Sequence, residues 1–364
     1  MRREDLSLAR IIAQGLAQPS GTTRQVVERL GCLQSQELPG GLLSLALRTT
    51  AGSLAEVTDA FCAGDVVRSW PMRGTLHTVP AADIGWMTRL TTRQMLAQSA
   101  RMHERWGLDE GALDRAADAA RSLLRGGRTA PRQQVLAAMA AQGLPQGASR
   151  VLAHLSHTGV LVLGPVVADE KGRPDQLWAL ADEWISHPRQ LAGEDAIREW
   201  VRSYFTSHGP ATVADFARWT TLGLTVTRAA LADLRDVLAR IEIGGETHWM
   251  APDLPERLAA QRAAAGRMML LPGFDELLLG YKCRDFIVRP EFAGAIAPGN
   301  NGMFRPTIVD GGQVIGTWRR AISLRRHPSG LEPTWLVSPT TAQQRRFEEL
   351  AVALPRLDWM LRPA

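Results

Sequence analysis

One order of elements recurs along the chain, and it constrains the fold more tightly than any composition figure. Helical segments followed by a two-stranded ribbon appear three times. In the first pass Leu6, Leu8, Ile11, Ile12 and Leu16 recur at roughly helical spacing until Pro19-Ser20-Gly21 breaks the run. Thr22 or Thr23 then caps a helix whose inner face is Val26, Val27, Leu30 and Leu33, and Ser53 opens another carrying Leu54, Val57 and Phe61. After Gly64-Asp65 the pattern turns β-rich at 66–70 and 75–79, about a Pro71-Met72-Arg73-Gly74 turn. Helices followed by a ribbon is the winged-helix order. Thr129-Ala130-Pro131 opens a second pass, with Ser149 capping its second helix and strands at 160–163 and 176–180. Gly209-Pro210-Ala211-Thr212 opens a third, whose ribbon turns at Gly244-Gly245. Superposing the last two passes matches Leu155 with Leu234 and the helix after Pro131 with the helix after Pro210. That is a weak internal repeat.

The last third departs from this order. Asp310-Gly311-Gly312 and Pro328-Ser329-Gly330 punctuate short strands at 303–309, 313–318 and 334–337, and a helix at 341–354 follows. We expect a small β-barrel or sheet there. The whole reads as an α+β chain: a first winged-helix unit at 1–108, a second at 109–190, a third at 191–262 and a β-barrel with a closing helix at 263–364. A chain of 364 residues suits several domains rather than one core. No apolar run is long enough to span a bilayer, and the charged start Met1-Arg2-Arg3-Glu4-Asp5 is not a signal peptide, so no membrane role is expected. Cys32, Cys62 and Cys283 are scattered and odd in number, which fits a reducing cytoplasm and neither a disulfide framework nor a zinc site.

A net charge of +5 and a pI near 9.7 allow an anionic partner without demanding one. Three winged-helix units favour nucleic acid, although such units also serve as protein-interaction modules. Candidate phosphate contacts are Arg68, Arg73 and His77 in the first ribbon, Arg319-Arg320 after a barrel strand, and Arg325-Arg326. His154 and His157 lie three apart on one helix without a metal-binding frame, and we assign no metal. No phosphate-binding loop, dinucleotide fingerprint or G-x-S-x-G elbow is present, and no cofactor is expected. Asp275 and Glu276 form an adjacent acidic pair that could orient a water but more commonly would hold their own turn.

Gln34-Ser35-Gln36 stands apart. Two glutamines two apart share a face only in extended chain, and the Pro39-Gly40-Gly41 stop signals make unwinding plausible there. Alone, such a pair more often marks a frayed helix end. An amide pair can orient a water or a substrate oxygen but cannot take a proton from water.

Four stretches in this order carry a resemblance: 33–36, 69–77 (Ser69-Trp70-Pro71-Met72-Arg73-Gly74-Thr75-Leu76-His77), 271–279 (Leu271-Pro272-Gly273-Phe274-Asp275-Glu276-Leu277-Leu278-Leu279) and 304–311 (Phe304-Arg305-Pro306-Thr307-Ile308-Val309-Asp310-Gly311). Over nearly the whole chain the sequence resembles the winged-helix DNA glycosylases of the AlkZ type, the YcaQ-like family. The resemblance implies three tandem winged-helix units and a C-terminal β-barrel forming a C-shaped cleft for double-stranded DNA, in a monomer. It implies excision of N7-alkylated purines, with bulky adducts or interstrand crosslinks of a genotoxin as candidate substrates, in base excision repair or antibiotic self-resistance. It places Gln34 and Gln36 as the catalytic Gln-x-Gln motif, with Ser35 at a middle position that is usually aliphatic in that family. Lys171 and Lys282 are the only lysines, and neither lies near the motif in sequence, which points to a monofunctional enzyme without an amine nucleophile. A non-catalytic winged-helix DNA-binding protein or regulator is the alternative left open.

Overall fold

The computed structural model describes residues 1–105, 108–144, 149–300 and 302–355. Helix α1 (Leu6–Ala13) leads to α2 (Thr23–Leu30), whose start is a reciprocal cap: Thr22 accepts from the Gln25 backbone while the Gln25 side chain returns to the Thr22 N–H. Strand β1 (Leu33–Gln34), α3 (Leu38–Ala46), α4 (Leu54–Cys62) and the hairpin β2 (Val66–Met72)/β3 (Thr75–Pro80) complete the first segment. β1 pairs antiparallel with β3, Leu33 opposite Thr78 and Gln34 opposite His77.

Pro39-Gly40-Gly41 does not stop a helix; it lies in the first turn of α3. Proline costs nothing there, because its missing N–H would be unsatisfied anyway. The glycines are needed for close approach: a Cβ on Gly41 would sit 2.5 Å from Ser35 Cβ, and one on Gly40 3.1 Å from the Gly273 carbonyl.

The second segment runs α5 (Ile84–Arg105), α6 (Glu110–Leu124), α7 (Arg132–Ala140), α8 (Ser149–His157), and the hairpin β4 (Leu161–Ala168)/β5 (Pro174–Leu180). The third runs α9 (Ala181–Trp184), α10 (Gly193–His208), α11 (Val213–Thr220), α12 (Leu224–Asp233), and the hairpin β6 (Ala239–Ile243)/β7 (Glu246–Met250). In each, an isolated bridge before the third helix pairs with the last strand, Ala130 with Trp178 and Ala211 with Trp249. The three segments therefore share one connectivity, with β1 as the longer version of the same bridge. One feature was not legible in the sequence: β2 also pairs with β4 at Arg68–Leu163, giving a five-stranded sheet ordered β1-β3-β2-β4-β5 across two segments.

The remainder comprises α13 (Leu254–Ala265), β8 (Met269–Leu271), α14 (Glu276–Leu279), α15 (Ala293–Ile296), β9 (Thr307–Asp310), β10 (Gln313–Arg320), β11 (Leu331–Trp335) and α16 (Thr341–Ala353). Gly311 and Gly312 both have positive φ in the two-residue β9–β10 turn, as the sequence requires. The expected barrel is corrected: β11-β10-β9-β8 is an open sheet, with β8 and β11 on opposite edges. Four strands are too few to close around packed side chains. Instead α16 contributes Phe347 and Ala351 to a core shared with Met268, Leu270, Ile308 and Trp318.

The largest core cluster crosses the segments. Trp86 meets Trp200 edge-on at 5.7 Å, and Trp200 meets Trp219 at 6.2 Å, all three fully buried. Each such indole removes roughly 150–250 Å² from water, worth roughly 4–6 kcal/mol. Trp219 ends this row at the functional site.

Candidate active site

The two glutamines reach one hairpin from extended backbone. Ser35 N–H donates to the Leu76 carbonyl (2.9 Å), prolonging the β1–β3 ladder beyond Gln34. Gln34 is buried and Gln36 exposed, yet both amides anchor on the β2–β3 turn. Arg73 Nη2 donates to Gln34 Oε1 and the Leu76 N–H donates to Gln36 Oε1, each at 2.9 Å. Both partners are pure donors, so the bonded atom of each amide must be its oxygen. The orientation of both side chains is thereby fixed by chemistry. Each keeps two N–H donors and one carbonyl lone pair for a substrate or water.

The turn itself is specialised. Arg73 adopts a left-handed φ of 56°, ahead of Gly74 at 64°. Its Nη2 also lies 3.1 Å from His77 Nε2, and because arginine cannot accept, His77 Nε2 is the acceptor. His77 then carries its proton on Nδ1 and donates it to the Thr75 carbonyl (2.9 Å). Burial, then the Arg73 charge, push the His77 pKa down to about 3. His77 is therefore a neutral, fully buried orienting group, which corrects its assignment as a phosphate contact.

Arg68 is corrected likewise. It is buried, and its guanidinium donates to the Ser35 carbonyl (2.7 Å), the Gln36 carbonyl (3.0 Å) and Gln176 Oε1 (3.1 Å). Burial lowers its pKa to about 10. Its donors bolt the motif backbone to β2 and, through Gln176, to the second segment. Arg319 is exposed and pairs with Glu332 (2.9 Å) on the C-terminal sheet, while Arg320 is half-buried beside it. Among the described residues neither contacts the glutamines.

Behind the motif lies a carboxylate that the sequence left as a turn residue. Glu276, fully buried, accepts the Gln34 backbone N–H (3.0 Å) and the Trp219 indole N–H (2.7 Å), and sits 3.3 Å from His208 Nε2. Burial alone would raise its pKa, but His208, Arg73 and the Gln34 amide outweigh it and hold it at about 2. Its neighbour Asp275 does cap its own turn, donating nothing and accepting from the Leu277 N–H (2.9 Å). It also takes a two-pronged pair from buried Arg48, 2.9 Å on each oxygen, and the Ser44 hydroxyl. This clamps the 272–281 segment against α3. Phe274 has φ 62°, and a Cβ on Gly273 would lie 2.6 Å from the Phe304 carbonyl, so that segment is wedged on both sides.

Three more residues near the motif carry no obvious sequence signal. Glu37 is exposed, yet its partial desolvation raises its carboxyl pKa. Arg218 and Arg284 are close enough to Arg73 that their charges oppose its own or one another's. Lys171 is exposed in the β4–β5 turn, and exposed Lys282 follows α14, its backbone N–H donating to Asp215 (2.8 Å). A recess of about 940 Å³ between α11, the β6–β7 hairpin and residues 282–304 contains neither glutamine. Among the described residues no three His, Cys, Asp or Glu side chains are grouped to hold a metal. Chemically the site offers fixed amide dipoles, and among the described residues no free base is hydrogen-bonded to them.

The chain is similar to known proteins over most of its length. A family model described as DNA glycosylase AlkZ-like matches residues 27–357. A curated relative, an interstrand DNA cross-link repair glycosylase of Streptomyces sahachiroi, is 27% identical over 316 residues, covering 83% of this chain and 82% of that protein. The solved structure of Streptomyces sahachiroi DNA glycosylase AlkZ matches with a TM-score of 0.77 at 22% identity, over 98% of this chain and 99% of that one.

Proposed function

The chain belongs to the AlkZ-like DNA glycosylase family, and from that premise we propose that it hydrolyses the N-glycosidic bond of N7-alkylated purines in double-stranded DNA and leaves an abasic site uncut. The observation that carries this reading is the pair of oriented amides on Gln34 and Gln36, held by Arg73 and the Leu76 N–H. An N7-alkylated purine is already cationic and leaves without a strong acid. What remains is to place water and to stabilise an oxocarbenium-like sugar, a task for positioned dipoles. The unused lone pair on each Oε1 accepts a hydrogen bond from the water and leaves its oxygen facing the sugar; the cationic purine departs as a neutral base, and the water loses its proton to solvent once its oxygen has bonded the sugar carbon. Glu276 serves from behind by fixing the Gln34 backbone, and its negative charge favours the cationic sugar.

We read the three segments of shared connectivity as winged-helix units, bounded at 1–108, 109–190 and 191–262, with 263–364 completing a C-shaped DNA cleft. The relative named for cross-link repair extends the substrate class to bulky or crosslinked adducts, in repair or in self-resistance. We take the enzyme to act as a cytoplasmic monomer without a cofactor. The two exposed lysines lie outside the contacts of the glutamines, which supports hydrolysis without a lyase step.

The test is product analysis on a duplex with a single N7-methylguanine, then one with a bulky N7 adduct. The expected product is free base plus an abasic strand that breaks only after alkali. Strand scission without alkali would contradict the monofunctional reading. Binding to both duplexes with no base released from either would point instead to a non-catalytic DNA-binding protein.

A further inference from the structure

We infer that Arg218, Arg284 and Arg73 form a cradle for one backbone phosphate of the damaged strand, beside the glutamines. α14 is the spine that places them. Gln34, which accepts from Arg73, donates its backbone N–H to Glu276 at the start of α14. Trp219 donates to the same carboxylate, and Arg218 precedes it on α11. The Leu278 carbonyl on α14 accepts from Arg284 Nε (2.8 Å), and the Arg284 guanidinium carbon lies 4.7 Å from the centroid of the Phe304 ring.

Three guanidiniums thus come from three separated stretches, and among the described residues none of them pairs with a carboxylate within salt-bridge distance. Arg48 and Arg319, by contrast, each have a carboxylate partner, Asp275 and Glu332. Here Arg284 Nη2 and Arg73 Nε are buried donors without a partner. The buried Glu276 carboxylate offsets one of these charges, that of Arg73, and the like charges in excess of it are unfavourable unless a further anion joins them. Arginine forks match the oxygens of a phosphodiester, and the Phe304 ring supports Arg284. Exposed Arg218 supplies the outer wall. A phosphate held here would fix the strand next to the amides, converting sequence-independent affinity into register for the sugar. Of the three, the sequence singled out Arg73 as a phosphate contact; Arg218 and Arg284 carry no such signal and come to it only through the fold.

The inference rests on the reading that duplex DNA is the substrate, and the experiment separates the two. Binding of a fluorescein-labelled undamaged duplex is followed by anisotropy over a range of salt for wild type, Arg218→Gln, and the Arg218→Gln/Arg284→Gln double variant. Each lost phosphate contact lowers the slope of log K against log salt by about one. The expected result is a partial reduction in the single variant and a reduction of about one, the whole contribution of the one phosphate, in the double variant, with Arg24→Gln, whose partner is Glu28, left near wild type. Unchanged slopes in both variants, with wild type binding normally, would overturn the cradle alone. Arg218 is exposed, so its single variant keeps the test open where the double variant folds poorly. A wild type that does not bind duplex at low salt would overturn the DNA reading and the cradle with it. Thermal stabilisation by inorganic phosphate that is lost in the single variant, with no change in the DNA slope, would reassign the site to a free anion and overturn the proposal.

Discussion

The first and third hairpins are built alike and differ where the chemistry sits. In both, a histidine on the second strand bonds by Nδ1 to the carbonyl two residues before it, His77 to Thr75 and His248 to Glu246, each at 2.9 Å. In both, a short stretch before a helix pairs with that strand, Leu33–Gln34 in one and Ala211 in the other. The third hairpin turns through Gly244 and Gly245, both at positive φ, and stands as a two-stranded sheet. The first turns through Arg73 and Gly74 and is drawn into five strands. Arginine at positive φ is strained where glycine is not. The first hairpin therefore carries a cost that the third avoids, and what it gains is a guanidinium that fixes Gln34.

Converting one hairpin towards the other breaks this comparison most sharply. Arg73→Gly reproduces the Gly-Gly turn of the third segment. Single-turnover base release is expected to fall about 100-fold, the scale of losing one preorganised donor or misplacing a reacting group. Thermal stability is expected to change little, because relief of the backbone strain is offset by the bonds lost at Gln34 and His77. A rate within a few-fold of wild type would mean that Gln34 does not need its anchor.

Acid separates the two hairpins next. His77 has a folded pKa near 3 against an ordinary 6.5, so below pH 6.5 the unfolded chain binds the extra proton. Stability from this group is whole above pH 6.5 and declines by roughly 1.4 kcal/mol per pH unit down towards pH 3. Glu276, held near 2 against 4.5, adds its own loss only below about pH 4.5. Denaturant melts between pH 7 and 5 are expected to show the His77 slope, and His77→Gln to flatten it. An unchanged slope in the variant would place the proton elsewhere.

The smallest effect is expected at the counterpart position. His248→Gln removes one backbone bond, at a cost of about 1 kcal/mol in a thermal melt, and leaves base release unchanged. A loss of activity there would mean that the third hairpin also takes part in the reaction.

The comparison also shows how far residues alone could carry the reading. Period-two spacing made Gln34 and Gln36 legible as a convergent pair, and glycine pairs marked the β6–β7 and β9–β10 turns, because both signals are local. Arg68 read as a phosphate contact because an arginine in the ribbon of a winged-helix unit suits an anion, and no local signal says what covers it. β2 is buried along nearly its whole length, and the Arg68 side chain is turned onto the Ser35 and Gln36 carbonyls. The link from Gln34 to Glu276 spans 242 residues and has no local signature. Pro39 read as a stop because its position within the helix, rather than its identity, decides what it does. The open C-terminal sheet was hidden for a related reason: strand signals count strands but do not say which edges meet.

The central claim is that two anchored amides, and not a base, perform the excision. Its most direct test is single-turnover release of N7-methylguanine by wild type and by Gln34→Ala/Gln36→Ala, with duplex affinity measured on the same preparations. A wild type that releases base and a double variant that binds duplex within a few-fold but releases at the uncatalysed rate is the expected result. Undiminished release by the double variant would contradict the account and move the chemistry to another group, with Glu37 the first to replace.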